Sequence, residues 1–318
     1  MKVLHIGMGE WGIWWFHALK ERSDIEIVGI VDLDERKKVE GFEFYTDAEK
    51  AMDELQPDFI LNATPPANHL AINKLACARN IPVLCEKPIT ENFEEATETL
   101  ALAQAGHKIV IAENYRYFAG PLRVKETLER GLIGKVSSIN IRFSKKHQMH
   151  NYHAKLEHPL LMDVTMHHFD LLRYFTGAEV DKVFADFFTP EWSWYKGYSN
   201  VSTTMAMDNR IRVNYLGSLD SHMETSWNGT WEFIGEHGSV IFDNDAVYVH
   251  KDKTTKKLNA LTGVTVFDKD LILDEFIAYI QGGSMPQTHI FDNIKTFKIA
   301  HAAIQSFEKR CEVKVDAD

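Results

Sequence analysis

Hydrophobic positions in the first third of the chain alternate between short β-branched runs and helical patterns. Strands are predicted over 2–6, 25–31, 42–45, 59–62, 81–85 and 108–112, and helices over 11–21, 68–79 and 91–105. Strands that alternate with helices pair in parallel, because each helix carries the chain back to the same edge of the sheet. The pattern therefore predicts an α/β Rossmann domain with a doubly wound parallel sheet over residues 1–118.

After Gly120 and Pro121 the pattern changes to longer alternating segments. Helices are predicted over 122–130, 161–175, 270–281 and 291–310, and strands over 136–143, 180–188, 201–207, 210–216, 222–227, 230–235, 239–243 and 246–250. Short polar turns at Asp208-Asn209 and Asn228-Gly229 indicate hairpins. We expect an α+β C-terminal domain over residues 119–318 with a large, mostly antiparallel open sheet, whose last helix could pack back on the first domain.

Composition narrows the class of protein. A chain of 318 residues with 45% hydrophobic and 25% charged residues has the composition of a folded globular protein, and its length favours two domains. A formal charge of −11 without a basic run argues against nucleic acid as a partner. Cys77, Cys85 and Cys311 are odd in number and lack ligand spacing, which predicts the cytoplasm. No apolar stretch reaches the ~18 to 20 residues of a membrane helix.

The first predicted strand runs into the loop Gly7-Met8-Gly9-Glu10-Trp11-Gly12, which opens the first predicted helix. In this context the three glycines match a dinucleotide phosphate loop: Gly7 permits a tight turn, Gly9 lets the backbone approach a diphosphate, and Gly12 lets the helix pack on the strand. Met8, Glu10 and Trp11 are expected to contact the cofactor as members of the same loop. The alternative is an ordinary turn between a strand and a helix.

Asp32 ends the second predicted strand, 20 residues after Gly12. A carboxylate at this point can accept hydrogen bonds from the adenosine ribose hydroxyls and would repel a 2′-phosphate, so NAD is favoured as cofactor. Arg36 and Lys37 lie close enough in sequence to keep NADP as the other candidate. Asp32 could instead begin a turn together with Asp34.

Five further motifs occur in a fixed order along the chain. They are Asn62-Ala-Thr-Pro-Pro66 with His69, Cys85-Glu86-Lys87-Pro88, Ala112-Glu-Asn-Tyr-Arg116, Gly131-x-x-Gly134 and Asp163-x-x-x-His167-x-x-Asp170. Together they resemble the glucose-fructose oxidoreductase, inositol dehydrogenase and rhizopine-catabolism family (Gfo/Idh/MocA) across essentially the whole chain.

The resemblance implies catalytic roles for Lys87, Asp163 and His167. Independently, Lys87 follows a parallel strand, where open α/β folds bind ligands, and the Pro88 after it suggests a rigid peptide that could be cis. A histidine with a near-neutral pKa fits a general base, which suits His167 and leaves His168 a structural part. The further residues expected to bind the cofactor are Thr64, Pro65, His69, Glu86, Lys87 and Asn114, and those expected to bind substrate are Lys87, Arg116, Asp163, His167 and Trp194.

Three features depart from the family pattern or leave alternatives open. Thr165 stands where glycine is common, which predicts a bulkier pocket wall. The tract His147, His150, His153 and His158 has no completing carboxylate or cysteine pattern, so we expect no metal. Trp194 lies in an aromatic loop that would either stack on sugar or cover a sheet or a subunit contact.

The expected reaction moves a hydride between a nicotinamide and a secondary alcohol or ketone of a sugar, cyclitol or related polyol. Two alternatives remain: a catalytically silent dinucleotide or ligand sensor on the same scaffold, and a reductase of a non-sugar substrate. The expected partners are the small-molecule substrate and further copies of the chain, in a homodimer or homotetramer formed through the C-terminal sheet.

Overall fold

The computed structural model describes residues 1–149, 152–259, 261 and 268–315. These residues form two compact units, the first from Met1–Asn114 and Asp268–Ile294 and the second from the described parts of Tyr115–Phe267 and Lys295–Asp318. The chain returns to the first unit over residues 268–294, and the predicted boundary after residue 118, with a last helix that packs back on the first domain, stays a prediction. The return buries Ile272, Leu273 and Phe276 in the first unit, and the Phe276 ring lies 5.2 Å from that of Phe59.

The first unit is built on a parallel sheet. Its strands are β1 (Lys2–Ile6), β2 (Glu26–Val31), β3 (Phe44–Tyr45), β4 (Phe59–Asn62), β5 (Val83–Cys85) and β6 (Ile109–Ile111). Its helices are α1 (Glu10–Glu21), α2 (Ala48–Leu55), α3 (His69–Cys77), α4 (Phe93–Gln104) and α7 (Lys269–Ile280). The strand order β3-β2-β1-β4-β5-β6 is that of a Rossmann fold and confirms the prediction.

Helix α2 is the element of this unit that the sequence analysis missed. It is one short stretch of eight residues, and its apolar stripe consists mainly of the small Ala48 and Ala51 beside Met52. Asp47 caps it by accepting a hydrogen bond from the backbone N–H of Lys50 at 3.1 Å. Ala48, Ala51, Met52 and Leu55 follow the helical spacing i, i+3, i+4 and i+7, so both the pattern and the cap were readable in the sequence.

The second unit is built on a mostly antiparallel sheet. Its strands are β7 (Val136–Ser144), β8 (Val180–Phe188), β9 (Asn200–Met207), β10 (Arg212–Ser218), β11 (Thr230–Gly235), β12 (Gly238–Asp243), β13 (Ala246–Lys251), β14 (Thr254–Lys257) and β15 (Val313–Lys314). Its helices are α5 (Ala119–Glu129), α6 (Met166–Thr176) and most of α8 (Ile290–Lys309), which begins in the first unit. The α+β class is confirmed, and the subunit contact through this sheet stays a prediction.

The predicted strand over residues 222–227 is wrong, and so is the hairpin at Asn228-Gly229. The sheet order β11-β7-β10 puts β7 between β10 and β11, so the chain must cross β7 between these two strands. The crossing segment is anchored by Thr225, whose backbone N–H donates to the carbonyl of Ser144 at 2.9 Å.

In the part of the chain that the structure describes, no helix is long and apolar enough to cross a membrane.

Each unit buries an uncharged histidine. His5 lies on β1 and His168 on α6, both with no exposed surface. Burial lowers the pKa of His5 to about 4 and that of His168 to about 3, because a charged imidazole is poorly solvated there. Neither side chain carries charge at neutral pH in the folded protein.

Because these two histidines are buried uncharged, we expect the free energy of unfolding to be lower in mild acid than at neutral pH. Below a pH of about 6.5, these histidines bind protons in the unfolded chain but stay neutral in the folded chain. The free energy of unfolding therefore falls as the pH drops from 6.5 towards 4. The expected loss is about 2 kcal/mol per histidine at pH 5. Urea unfolding at pH 7.5, 6 and 5 measures it.

The variant His5→Leu isolates one contribution, and the exposed His237→Leu is its control. His5→Leu should flatten the dependence of stability on pH by about 2 kcal/mol between pH 7.5 and 5, whereas His237→Leu should not. An unchanged pH dependence in His5→Leu would contradict the assignment.

Candidate active site

The loop between β1 and α1 is held by two glycines that have no room for a side chain. Gly7 has a φ of +96°, and a Cβ on it would lie 2.6 Å from the carbonyl oxygen of Ala63. A Cβ on Gly12 would overlap the carbonyl oxygen of Gly7. The helix therefore begins directly against the end of the strand, as the sequence predicts.

The third glycine faces open space. Gly9 is the N-cap residue of α1 and makes no side-chain capping bond, and a Cβ built on it would meet nothing within 4 Å. A helix N-terminus without a side-chain cap offers backbone N–H groups and a partial positive charge to an anion. These residues fit the diphosphate of a dinucleotide. The side chain of Met8 is buried and its backbone N–H donates to Asp32, so its predicted contact with the cofactor stays a prediction.

Asp32 is fixed at the same edge of the sheet. Its Oδ2 accepts a hydrogen bond from the backbone N–H of Met8 at 2.7 Å, and its Oδ1 accepts one from the N–H of Asp34 at 2.9 Å. Each carboxylate oxygen keeps a second lone pair, which a ribose hydroxyl can use. Asp32 thus both begins a turn and lies next to the phosphate loop, so the two interpretations of the sequence do not compete.

His69 joins the loops that follow β4 and β5. The buried ring has Nε2 at 2.8 Å from the carbonyl oxygen of Thr64 and Nδ1 at 2.9 Å from that of Pro88. Burial lowers its pKa, and its carbonyl partners oppose that shift. Because both ring nitrogens have protein partners, His69 positions the neighbouring loops, whereas the exposed Pro65 lies on the surface of the loop. The predicted cofactor contacts of these residues stay predictions.

Lys87 lies in a group of tryptophans and one buried carboxyl. Its Nζ is 5.6 Å from the centroid of the Trp11 ring, and the peptide to Pro88 is cis, as the sequence suggested. The Glu86 carboxyl accepts hydrogen bonds from the indole N–H of Trp15 at 2.5 Å and from the backbone N–H of Lys87 at 2.9 Å. Burial raises the pKa of Glu86 to about 7, which the bonds and the Lys87 charge oppose.

Trp15 is a neighbour of Glu86 that the sequence analysis did not single out. A buried indole N–H almost always needs an acceptor, and that requirement was the available signal. Asn114 has a similar unforeseen partner, since its Nδ2 donates to Oδ1 of Asp268 at 2.9 Å. Lys269 was missed as well. Its Nζ donates to the carbonyl of Trp14 at 3.2 Å, and burial lowers its pKa to about 8.

In the second unit, His167 is stacked on an aromatic ring. The rings of His167 and Tyr115 are stacked: their centroids are 3.8 Å apart and their planes are nearly parallel, with 1° between them. His167 has only 3% of its surface exposed, so this contact restrains the plane of the imidazole. Tyr115 lies in one of the motifs of the sequence analysis but was given no role there, and it is 52 positions earlier in the chain.

Arg116 and Asp170 form a buried ion pair within the second unit. The guanidinium donates to Asp170 through Nε at 2.5 Å and Nη2 at 2.6 Å, and Asp170 also accepts from the hydroxyl of Thr296 at 2.9 Å. Asp170 has no exposed surface. This pair gives Arg116 a structural part, and its predicted contact with substrate stays a prediction.

Asp163 lies in a π-helical turn, Leu161–Thr165, that leads into α6. The predicted single α-helix over 161–175 is therefore wrong at its start, and the four-residue spacing to His167 does not by itself place both on one face. Asp163 contributes to raising the pKa of Tyr195 to about 12, after the larger effect of burial. The half-exposed Trp194 packs edge-on against Tyr195 at 5.0 Å.

His168 has the structural part expected of it. Its ring lies 3.0 Å from the Tyr215 hydroxyl and 2.9 Å from the carbonyl oxygen of Trp227. The Tyr215 hydroxyl also lies 2.9 Å from that of Thr165, which is fully buried, and the bulkier pocket wall expected from Thr165 stays a prediction.

The histidine tract lies partly within the described residues, with His147 and His158 among them. His150 and the side chain of His153 lie outside the described residues. Among the residues that are described, no group of three or more histidine, cysteine or carboxylate side chains could hold a metal ion. The expectation of a metal-free site stays a prediction.

A Rossmann unit with this phosphate loop, followed by an α+β unit whose described residues form a sheet of nine strands, is the architecture of a two-domain dinucleotide-binding oxidoreductase. The chain belongs to the Gfo/Idh/MocA family. Residues 1–114 match the model of the oxidoreductase family with an NAD-binding Rossmann fold, and residues 122–241 match the model of the GFO/IDH/MocA C-terminal domain. The resemblance inferred from the motifs is confirmed.

Relatives match over nearly the whole length. The uncharacterized protein y4oX of Sinorhizobium fredii is 25% identical and aligns with 99% of this chain and 95% of its own. Myo-inositol 2-dehydrogenase of Thermotoga maritima is 24% identical and aligns with 99% of both chains. An oxidoreductase from Agrobacterium radiobacter, solved in complex with NAD+, L-tartaric acid and magnesium, superposes with a TM-score of 0.88 at 20% identity, over 99% of this chain and 98% of its own. That likeness shows the fold.

Removal of the indole N–H should destabilise the first unit in a pH-dependent way. Trp15→Phe keeps an aromatic ring but leaves the buried Glu86 carboxylate with one donor fewer, at a cost of about 1 to 3 kcal/mol. The cost should grow as the pH rises through 7, because the carboxylate forms in that range in the wild type. Urea unfolding at pH 6 and pH 8.5 measures the difference.

Trp11→Phe is the matched control, since the Trp11 ring is 40% exposed. It should change stability little and equally at both pH values. If Trp15→Phe cost the same at pH 6 as at pH 8.5, the indole would not be stabilising the ionised carboxyl.

Proposed function

We propose that the protein is an NAD(P)-dependent dehydrogenase that oxidises a secondary alcohol of a sugar, cyclitol or related polyol, or reduces the corresponding ketone. NAD is the favoured cofactor. The observation that carries the proposal is the position of Lys87, directly after β5, at the same edge of the parallel sheet as the glycine loop and Asp32. A lysine at this edge gives the nucleotide-binding unit a group that moves protons.

In this proposal the chain holds the cofactor mainly with backbone groups. The N–H groups at the start of α1 receive the diphosphate, and Asp32 accepts hydrogen bonds from the ribose of the adenosine. Glu86, Thr64 and Asn114 stand after neighbouring strands of the same sheet and complete the site. The bound nicotinamide would supply the carbon that accepts or gives the hydride.

Lys87, His167 and Asp163 are the proposed catalytic residues. The Lys87 ammonium hydrogen-bonds the reacting oxygen and relays its proton, and His167 acts as the general base, with an imidazole plane restrained by Tyr115. Asp163 orients the substrate. Trp194 offers a half-exposed ring for the C–H face of a sugar. Support for a polyol comes from the inositol dehydrogenase among the relatives.

A screen of polyols, sugars and their ketones with NAD(H) and NADP(H) tests the proposal. At least one substrate should change the absorbance of the nicotinamide band, and the active pair identifies substrate, cofactor and direction together. If the protein bound NADH but turned over no member of a broad panel in either direction, the proposal would be wrong, and a dinucleotide sensor or a reductase of a non-sugar substrate would take its place.

Lys87→Met should lower kcat with the substrate found by roughly 10²- to 10⁴-fold, the usual contribution of general acid–base catalysis. NADH affinity, measured by fluorescence titration, should change little, because the diphosphate and ribose contacts remain. Full turnover in Lys87→Met would disprove the catalytic role.

Lys108→Met is the matched control. Lys108 is also a lysine over an aromatic ring of the first unit, 4.9 Å from the Tyr279 centroid, but it precedes β6 and so lies at the opposite edge of the sheet. Its loss should leave kcat unchanged within about twofold. An equal fall in both variants would indicate a general structural effect of losing a lysine.

A further inference from the structure

The turn after β2 contains a second carboxylate that the proposed cofactor site does not use. Asp34 caps the short 3₁₀ turn Glu35–Lys37, and its Oδ1 accepts a hydrogen bond from the backbone N–H of Arg36 at 3.1 Å. The turn is tied to the phosphate loop, because Asp32 accepts from both Met8 and Asp34. Asp34 and Arg36 therefore lie beside the carboxylate assigned to the adenosine ribose.

The Arg36 side chain is held by Asp34. Its Nε and Nη2 each donate to one oxygen of the Asp34 carboxylate at 2.8 Å, which is the paired geometry that a guanidinium also uses for phosphate. The side chain is otherwise 89% exposed. The guanidinium beside it holds the pKa of Asp34 at about 2, so the carboxylate is ionised throughout the working range of pH.

We propose that Asp34 is a cofactor-specificity residue, which keeps Arg36 paired and thereby withholds it from the 2′-phosphate of NADP. An arginine close to the ribose is the usual means of accommodating this phosphate. Here the Nε and Nη2 edge of the guanidinium is occupied by Asp34, and a phosphate would also meet two carboxylates, Asp32 and Asp34. The 2′-hydroxyl of NAD meets neither obstacle. The inference rests on the proposed dinucleotide site.

The test is Asp34→Ser, which keeps an oxygen that can cap the turn but releases Arg36. Dissociation constants for NADH and NADPH are measured by fluorescence titration, without substrate. NADPH should bind about tenfold more tightly or better than in the wild type, as expected when a charged pair forms, while NADH affinity should change by less than about twofold.

Two controls separate the released arginine from a change in net charge. The double variant Asp34→Ser with Arg36→Ala should lose most of the gain for NADPH. Asp24→Ser makes the same charge change in another aspartate–arginine pair, in which Arg22 donates to Asp24 at 2.8 and 2.7 Å and also pairs with Asp274, but Asp24 precedes β2 and lies at the other edge of the sheet. It should alter neither affinity.

Each outcome decides one proposal. Unchanged NADPH affinity in Asp34→Ser, an equal gain in Asp24→Ser, or a gain that survives the loss of Arg36 would overturn the role of Asp34 while NADH binding stands. Failure of the wild type to bind either dinucleotide would instead overturn the proposed cofactor site.

Discussion

The close approach of Gly12 to the carbonyl of Gly7 is the constraint on which the first unit depends. It starts α1 directly at the end of β1, so that the N-terminus of the helix and the carboxyl edge of the sheet coincide. Because β1 lies in the interior of the strand order, the loops after β2 and β4 flank this point from both sides. The backbone N–H of Met8 then donates to the Asp32 carboxylate, which ties the loop after β1 to the end of β2.

In the second unit, the buried ion pair of Arg116 and Asp170 constrains the position of helix α6. Asp170 has no exposed surface and is stabilised by Arg116 and by the hydroxyl of Thr296, which joins α6 to α8. An unpaired carboxylate at this position would be strongly destabilising, so the network fixes the rotation of α6. That rotation gives the adjacent His167 and His168 different surroundings, one stacked on Tyr115 and the other bonded to Trp227.

Local periodicity was enough to predict most strands and the glycine loop, because spacing along the backbone determines both. It failed where the answer depends on distant segments. Residues 222–227 alternate like a strand, yet the order of the sheet makes them a crossing. The return of α7 to the first unit, the partner of Asn114 at Asp268 and that of Asp170 at Thr296 each join positions more than 120 residues apart. No pattern in one sequence specifies such pairs.

Electrostatics explain why an acidic chain can carry a site for an anionic cofactor. The formal charge of −11 opposes the binding of a dinucleotide, and two side-chain cations near the loop are engaged, Arg36 by Asp34 and Lys87 over Trp11. In the proposed site the diphosphate binds at the N-terminus of α1, whose N–H groups act at short range and do not depend on net charge. Selectivity among dinucleotides then depends on the few charges beside the ribose, where a single carboxylate decides whether an arginine is available.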